Sequence, residues 1–427
     1  MYKRTESNTR VSRRGFVAGT AALAGGTALA GTLTGGAMPA LAAAHAKVKL
    51  DAVLAEAVVT NKVPFVVAML GSSKGEIWSG TAGDHARGEP ISRDAVMRAF
   101  SMTKAVGSTA AMILIDRGKL SMDTPVEQIL PQFADIKVID GWDGDKPRMR
   151  APKTKATIRH LATHTNGMVY EVWNADMPKY MKATGLETIL TGKKTSLMYP
   201  MTFDPGERWD YGIGIDWLGQ VVEAVDGRTI DKFCADEIIG PLGMVDTVFE
   251  VEGDRAARLA TLYGRGEDGN FAKFDLAPPS KPEFYGMGHA LYSTAPDYMR
   301  FLRMFLGKGQ LEGRRVLSEA GVDAMLAIQI GDIRIGKMTT YVPPITADVD
   351  LFPGIDKTHS FGFLRVESDV PGMRSAGSQG WAGVCNTHYW FDPKKDVAGV
   401  IMTQTLPFVE PPFMQLYENF ERAVYAL

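Results

Sequence analysis

The chain has 427 residues, enough for one large domain or two of ordinary size. Hydrophobic residues make up 45% and charged residues 22% of it, which is typical of a soluble globular protein and excludes collagen-like and disordered classes. The formal net charge of −2 argues against nucleic acid and against an anionic membrane surface as partners.

Residues 1–44 have the composition of an export signal. A basic start that contains Arg13-Arg14 precedes a long Ala- and Gly-rich apolar stretch, which ends near the small-residue site Ala40-Leu41-Ala42. We predict a twin-arginine signal here, and a mature chain that is periplasmic or secreted and does not associate with a membrane. A helix of the mature fold, amphipathic or transmembrane, is the alternative. Gly and Thr in the stretch disfavour an anchor.

The first predicted elements are a helix and three strands. Apolar residues recur at helical spacing over residues 48–59. Residues 64–70 and 76–83 are predicted as strands joined by a turn, and a short strand follows at 96–100. The turn contains Gly71-Ser72-Ser73-Lys74-Gly75, a G-x-S-x-G pattern. Because a nucleophile elbow needs a strand followed by a helix, we interpret Ser73 as a turn residue.

A helix is predicted from Ser101 to Gly118, and it begins in Phe100-Ser101-Met102-Thr103-Lys104. Residues at i and i+3 share a helix face, so Lys104 lies beside Ser101. A buried lysine with a lowered pKa can take the proton of a serine hydroxyl, which makes the pair a candidate nucleophile and base. An N-capping serine with a surface lysine is the alternative.

The middle of the chain, residues 120–285, shows helical patterns such as 158–163, 215–225 and 230–239 and no convincing strand. Strands are predicted again at 360–367, 384–391 and 397–403, and a helix at 412–425. Strands at both ends of the chain predict one mixed antiparallel sheet flanked by helices, an α/β (α+β) class of fold. We therefore expect a discontinuous α/β domain over 45–130 and 286–427, a helical domain over 131–285, and a cleft between them.

Two further segments are candidates for acyl-transfer chemistry. Tyr211 follows the loop Asp204-Pro205-Gly206, and a tyrosine near a lysine can shuttle a proton. Gly380-Trp381-Ala382-Gly383 leads into the strand from Val384, where backbone N–H groups could face a developing oxyanion. Ordinary packing and a hairpin turn are the respective alternatives.

Metal and cofactor sites are not predicted. His164 has no second ligand at metal spacing, so we interpret it as a buried, hydrogen-bonded residue that shapes its loop. Three loop acids, Asp140, Asp143 and Asp145, miss the spacing of a calcium loop. Cys234 and Cys385 allow at most one disulfide, and the sequence does not indicate whether they pair. The sequence does not indicate the oligomeric state either.

Taken in order, these motifs resemble the serine beta-lactamase superfamily, in particular class C beta-lactamases and family VIII carboxylesterases. The resemblance spans residues 48–425, and the segments that carry it are Phe100-Ser101-Met102-Thr103-Lys104, Leu120–Val126, Ile158–Gly167, Phe203–Gly206 with Tyr211, Pro241–Met244 and Gly288–Ala295.

The resemblance implies a role for each matching residue. Ser101 would be the nucleophile, Lys104 its base, and Tyr211 the residue that assists proton transfer to and from the leaving group. The oxyanion hole would consist of the backbone N–H groups of Ser101 and Val384. Whether the proton resides on lysine or tyrosine is left open.

Departures from the lactamase pattern point to the substrate. The family usually has an asparagine two positions after the tyrosine and a K-T-G triplet, where this chain has Ile213 and Trp381-Ala382-Gly383. We expect these four residues to contact substrate. The loss of a cation and an amide disfavours an anionic lactam, and the indole would supply an apolar wall.

We therefore predict a cofactor-independent serine carboxylesterase whose partner is a small-molecule ester. A beta-lactamase or D-amino-acid peptidase is one alternative. A non-catalytic protein that binds cell-wall peptides or acts as a scaffold is the other. Possible pocket walls are Tyr170, Trp173, Tyr285 and Phe408, although each is more typical of ordinary packing.

Overall fold

The structure is a computed structural model that describes residues 37–84 and 88–427. The predicted twin-arginine motif at Arg13-Arg14 lies outside the described residues. No described helix is both long and apolar enough to cross a bilayer.

The helices are α1 (Ala37–Val59), α2 (Thr103–Asp116), α3 (Val126–Ile129), α4 (Ile158–Ala162), α5 (Asp176–Thr184), α6 (Gly214–Asp226), α7 (Ile230–Cys234), α8 (Gly240–Leu242), α9 (Asp254–Ala257), α10 (Ala295–Leu306), α11 (Glu319–Leu326) and α12 (Pro411–Tyr425). Single 3-10 turns cover Phe100–Met102, Pro131–Asp135, Ile189–Thr191 and Lys194–Leu197, and a π-helical turn covers Ala235–Ile239.

The strands are β1 (Phe65–Ser72), β2 (Gly75–Gly83), β3 (Met97–Arg98), β4 (Val138–Asp143), β5 (Lys146–Arg150), β6 (Tyr263–Arg265), β7 (Phe271–Lys273), β8 (Tyr292–Ser293), β9 (Gln310–Leu311), β10 (Arg314–Arg315), β11 (Lys357–His359), β12 (Leu364–Val366), β13 (Gln379–Gly383), β14 (Thr387–Asp392), β15 (Val397–Met402) and β16 (Thr405–Leu406).

A seven-stranded sheet in the order β11-β12-β13-β14-β15-β1-β2 forms the centre of the fold. Each neighbouring pair is antiparallel, and β1 pairs with β15, so strands from the two ends of the chain meet in the middle of the sheet. The prediction of an antiparallel sheet built from both ends and flanked by helices is confirmed.

The alternation of side chains along β1 divides the core into two layers. Phe65, Val67 and Met69 pack on the face covered by α2 and α10. The intervening residues, Val66 among them, pack on the opposite face with α1 and α12. Since both faces of the strand are buried, β1 is an unbroken apolar run rather than an alternating one.

The structure corrects several predicted boundaries. Residues 384–391 are not one strand: β13 ends at Gly383, a hairpin turn follows, and β14 begins at Thr387. The middle of the chain contains the β4–β5 hairpin and the β6–β7 pair, where no strand was expected. These strands are short and have only one buried residue, Val138, so they lack the apolar runs that identify buried strands. The division of the chain at residues 131 and 285 stays a prediction.

Candidate active site

Ser101 lies in the 3-10 turn Phe100–Met102, directly before α2. The preceding residue, Phe100, has a φ of 41°, a conformation that costs a residue with a Cβ free energy. The opposite side of this turn is β13, where a Cβ at Gly383 would lie 2.3 Å from the carbonyl oxygen of Ala99. The close approach of these two backbones holds Ser101 against the end of β13.

Lys104 occupies the first turn of α2, and its side chain is almost completely buried, with 1% exposed. Its Nζ lies 3.1 Å from Ser101 Oγ, and it donates hydrogen bonds to Tyr170 Oη at 3.0 Å and to the carbonyl oxygen of Gly288 at 2.8 Å. Burial lowers the pKa of Lys104 to about 7, although the negative charge of Asp216 opposes the shift. Near neutral pH, a large fraction of Lys104 is therefore an unprotonated amine beside a serine hydroxyl.

Tyr211 completes the group around Ser101. Its ring centroid lies 4.8 Å from Lys104 Nζ, and its hydroxyl accepts a hydrogen bond of 3.0 Å from Trp381 Nε1. Burial raises the pKa of Tyr211, while hydrogen bonds with Ser101 and Trp381 oppose the shift. The raised pKa favours the neutral phenol form of Tyr211 near neutral pH.

Tyr170, which the sequence analysis named as a possible pocket wall but more typical of packing, is a functional candidate. Its hydroxyl bonds Lys104 Nζ, its ring lies 5.2 Å from that of Tyr211, and it lines the cavity above Ser101. Burial raises its pKa well above the ordinary value. No local motif surrounds Tyr170, and only the return of its loop toward α2 brings it to the lysine.

Asp216, on α6, is a second residue that the sequence analysis missed. It is fully buried, and its Oδ1 accepts a hydrogen bond of 2.8 Å from the N–H of Gly288, whose carbonyl oxygen bonds Lys104. A Cβ at Gly288 would lie 2.5 Å from Asp216 Oδ2. The backbone of Gly288 therefore connects the carboxylate to the lysine, and only a residue without a side chain fits there.

The predicted substrate contacts are placed differently from expectation. Ile213 is completely buried in the main core and does not line the cavity. Trp381 is half-buried beside Tyr211, donates a hydrogen bond to the phenol, and lines a smaller cavity instead of the one next to Ser101. Its contact with substrate stays a prediction. Ala382 and Gly383 are buried in β13, and Val384, in the hairpin turn, does line the cavity.

The cavity next to Ser101 has a volume of about 160 Å³. Its wall is predominantly apolar and contains neither Lys nor Arg among the described residues. Besides Ser101, the residues in this wall include Tyr170, Glu171, Trp173, Ile189, Leu190, Leu276, His289, Ile345 and Val384. Two suggested walls lie elsewhere: Tyr285 packs on Phe249, and Phe408 stacks on His388.

The remaining sequence candidates have structural roles. Ser73 lies in the β1–β2 turn, where its N–H and hydroxyl bond the carboxylate of Asp396. His164 is buried and accepts a hydrogen bond of 3.4 Å from the N–H of Gly212, as predicted for a residue that shapes its loop. Cys234 and Cys385 are separate, buried thiols. Across residues 37–84 and 88–427, no group of three or more His, Cys, Asp or Glu residues could hold a metal ion.

The chain matches a known protein family over most of its length. The family model described as Beta-lactamase matches residues 50–422. Protein Rv1367c of Mycobacterium tuberculosis is 30% identical over 345 residues, which cover 75% of this chain and 80% of that protein.

Two relatives have names that state an activity. Monacolin J acid methylbutanoyltransferase of Aspergillus terreus is 26% identical, and the match covers 92% of this chain and 98% of that protein. Lovastatin esterase of Penicillium rubens is 28% identical, with 79% and 86% covered.

Solved structures share the fold. The unliganded selenomethionyl simvastatin synthase LovD of Aspergillus terreus superposes with a TM-score of 0.76 at 25% identity, covering 89% of this chain and 98% of that one. EstCE1, described as a hydrolase with promiscuous acyltransferase activity, superposes with a TM-score of 0.71 at 22% identity, covering 90% and 100%.

Proposed function

The chain belongs to the beta-lactamase family, and we propose that within it this protein is a carboxylesterase that hydrolyses neutral esters through an acyl-enzyme on Ser101. The observation that carries the proposal is the buried amine of Lys104 within 3.1 Å of Ser101 Oγ, with a pKa lowered to about 7. A relative named as an esterase, 28% identical, supports the choice of ester.

In the first step, the unprotonated amine of Lys104 accepts the proton of Ser101 as Oγ forms a bond to the ester carbonyl carbon. The carbonyl π electrons move to its oxygen, and we propose that the N–H groups of Ser101 and Val384 stabilise that oxyanion. Val384 is suited to this role because it lines the cavity and follows the strand that approaches Ala99.

The second step expels the alcohol. Tyr211 is a neutral phenol, so it can donate its proton to the leaving alkoxide while the ammonium of Lys104 returns a proton to the phenolate. Breaking the carbon–oxygen bond leaves an acyl group on Ser101. A water molecule then attacks the acyl carbon and gives a proton to Lys104. The bond from this carbon to Oγ breaks, Tyr211 and Lys104 return that proton to Oγ, and the carboxylic acid leaves with Ser101 restored.

The cavity wall supports an apolar, uncharged substrate. Its described lining has aliphatic side chains and aromatic rings but neither Lys nor Arg. Glu171, the carboxylate in the wall, would repel an anion. A beta-lactam carries a carboxylate, and this wall lacks a cation to bind it.

The mechanism is tested by labelling with a fluorophosphonate probe followed by peptide mass spectrometry. We expect the adduct on Ser101 and none in Ser101→Ala. Ser73→Ala is the matched control, since Ser73 bonds Asp396 away from the cavity, and it should label like the natural chain. An active preparation with an unmodified Ser101 would contradict the proposal.

Transfer of the acyl group to an alcohol is the second candidate. It is favoured by the relative named as a methylbutanoyltransferase, which matches 92% of this chain. Adding an alcohol acceptor during turnover of p-nitrophenyl butyrate distinguishes the two: an acyltransferase forms the new ester faster than free butyrate at millimolar acceptor, whereas an esterase forms mainly butyrate.

The lactamase, peptidase and binding-protein alternatives make different predictions. A clearly higher kcat/KM with nitrocefin or a D-alanyl dipeptide than with p-nitrophenyl butyrate would favour a lactamase or peptidase. A protein that binds cell-wall peptides with equal affinity in the natural chain and in Ser101→Ala, and hydrolyses neither ester nor lactam, would be non-catalytic.

Export through the twin-arginine pathway is a further proposal, and it rests on the sequence of residues 1–44. Replacing Arg13 and Arg14 together with lysine should leave the protein in the cytoplasmic fraction. Unchanged export of this variant would exclude the pathway.

A further inference from the structure

Tyr170 is bonded to Lys104, and the mechanism above gives it no part. Its hydroxyl oxygen lies 3.0 Å from Lys104 Nζ, and the residue lines the cavity next to Ser101. The N–H of Tyr170 donates to the carbonyl oxygen of Tyr211 at 3.0 Å, and a Cβ at Gly288 would lie 2.9 Å from Tyr170 Oη. Contacts on two sides therefore hold this hydroxyl beside the amine.

The three hydrogen-bond neighbours of Lys104 Nζ limit how the unprotonated amine can be arranged. Such an amine has two hydrogens and one lone pair. The carbonyl oxygen of Gly288, at 2.8 Å, can only accept, so it takes one hydrogen. The second hydrogen and the lone pair are left for Ser101 Oγ at 3.1 Å and Tyr170 Oη at 3.0 Å. Because each hydroxyl can donate or accept, two arrangements exist.

Only one of the two arrangements makes Lys104 a base for the serine. If Tyr170 donates its proton to the lone pair, Ser101 faces an N–H and cannot pass its own proton to nitrogen. If Tyr170 accepts, the lone pair faces Ser101 Oγ. Resting on the proposed ester hydrolysis, we propose that Tyr170 is a positioning residue, which accepts one N–H of Lys104 and so directs the lone pair at the Ser101 hydroxyl.

The two arrangements shift the pKa of Lys104 in opposite directions. Burial raises the pKa of Tyr170 well above its ordinary value, so its hydroxyl is a neutral phenol and not a phenolate. A neutral acceptor bonds the ammonium more strongly than the amine, and its loss therefore lowers the pKa of Lys104. A phenol that donates to the lone pair stabilises the amine instead, and its loss raises that pKa.

Tyr170→Phe removes the hydroxyl and retains the ring, which lies 5.0 Å from Lys104 Nζ. The measurement is the second-order rate constant for labelling of Ser101 by a fluorophosphonate between pH 5.5 and 8.5. This rate reports activation of the serine and requires neither ester binding nor hydrolysis of an acyl-enzyme. We expect the rate at high pH to fall about tenfold, as the loss of one hydrogen bond implies, and the midpoint to move to lower pH.

Tyr425→Phe is the matched control. It also removes one hydroxyl that bonds a single side chain, Asp392 at 3.0 Å, and Tyr425 lies at the end of α12, away from the cavity next to Ser101. The labelling rate and its midpoint should equal those of the natural chain. Thermal melting verifies that both variants fold.

Three results for Tyr170→Phe would overturn the proposal. A faster rate with a midpoint at higher pH would show that the hydroxyl blocks the lone pair. A slower rate with an unmoved midpoint would show that Tyr170 contributes packing alone, and an unchanged rate would show no role. A natural chain that is labelled at Ser101 but hydrolyses no ester would overturn the proposed function, and the labelling rates would still decide the role of Tyr170.

Discussion

Lys104 shows how burial turns an ordinary residue into a base. Its ammonium form is disfavoured because α2 and the loop at Gly288 exclude water, and Asp216 restores only part of the lost stabilisation. The hydrogen-bond network also orients the amine toward Ser101. The reactivity at this site therefore depends on desolvation more than on any single contact.

The pH dependence follows from the direction of this shift. We expect kcat/KM for p-nitrophenyl butyrate to rise with pH and level off above about 7, because only the unprotonated amine accepts the serine proton. In Asp216→Asn the midpoint should move to lower pH, since the charge that favours the ammonium is gone. A flat profile between pH 5.5 and 8.5, or a midpoint that moves upward, would contradict this account.

The contribution of Trp381 to activity can be tested, because it depends on a single N–H group. Trp381→Phe keeps an aromatic ring but removes the hydrogen bond to Tyr211, so we expect kcat/KM to fall about three- to tenfold. Trp209→Phe is the matched control, because its ring stacks at 6.3 Å from Tyr211 while its indole N–H has no partner among the described residues. Equal losses in both variants would show that packing, and not the hydrogen bond, matters.

The segment before β8 holds Lys104 in position through a hydrogen bond to the carbonyl oxygen of Gly288. Gly286 and Gly288 fold closely around Asp216, and Gly288 donates its N–H to the carboxylate and accepts a hydrogen bond from Lys104 on its carbonyl oxygen. This arrangement couples α6 to α2 through the backbone of one residue. The activity should therefore be sensitive to a single methyl group in this segment.

Gly288→Ala tests that coupling. The new Cβ would lie 2.5 Å from Asp216 Oδ2 and 2.9 Å from Tyr170 Oη, so the segment must shift and Lys104 with it. We expect kcat/KM to fall about 100-fold, the cost of a displacement near 1 Å at a reacting group. Gly75→Ala, where nothing lies within 4 Å of the new atom, should leave kcat/KM unchanged. Full activity of Gly288→Ala would refute the coupling.

The last helix, α12, packs against one face of the central sheet. On the face of the sheet covered by α1 and α12, the core contains Phe413, Leu416 and Phe420 of α12 packed with Trp390 of β14. The same helix carries Glu421, which is fully buried and bonds the equally buried guanidinium of Arg374 at 2.7 and 2.8 Å. This ion pair connects α12 to the loop before β13, the strand that ends at the active site.

Breaking the pair should destabilise the fold. Glu421→Ala leaves the Arg374 guanidinium buried without its carboxylate, so we expect the free energy of unfolding in urea to fall by about 3–5 kcal/mol. Glu418→Ala, on the exposed face of the same helix, should change it by less than about 0.5 kcal/mol. Similar values for the two variants would mean that the pair does not stabilise α12.

Local patterns in the sequence were enough to predict the frame of the protein. Apolar runs at both ends predicted the strands that meet as β1 and β15, and local spacing paired Ser101 with Lys104. Tyr211 was a candidate from its position after the loop Asp204-Pro205-Gly206, and the family resemblance supplied its role.

The environment of these residues arises from contacts between distant segments. Tyr170 and Asp216 are distant from Ser101 in sequence, and no periodicity marks their approach to Lys104. The hydrogen bond from Trp381 to Tyr211 was not predicted, because the direction of the indole depends on the pairing of β13 with β14. Side-chain spacing within one element is a local property, whereas desolvation and hydrogen bonds between elements exist only after the chain has folded.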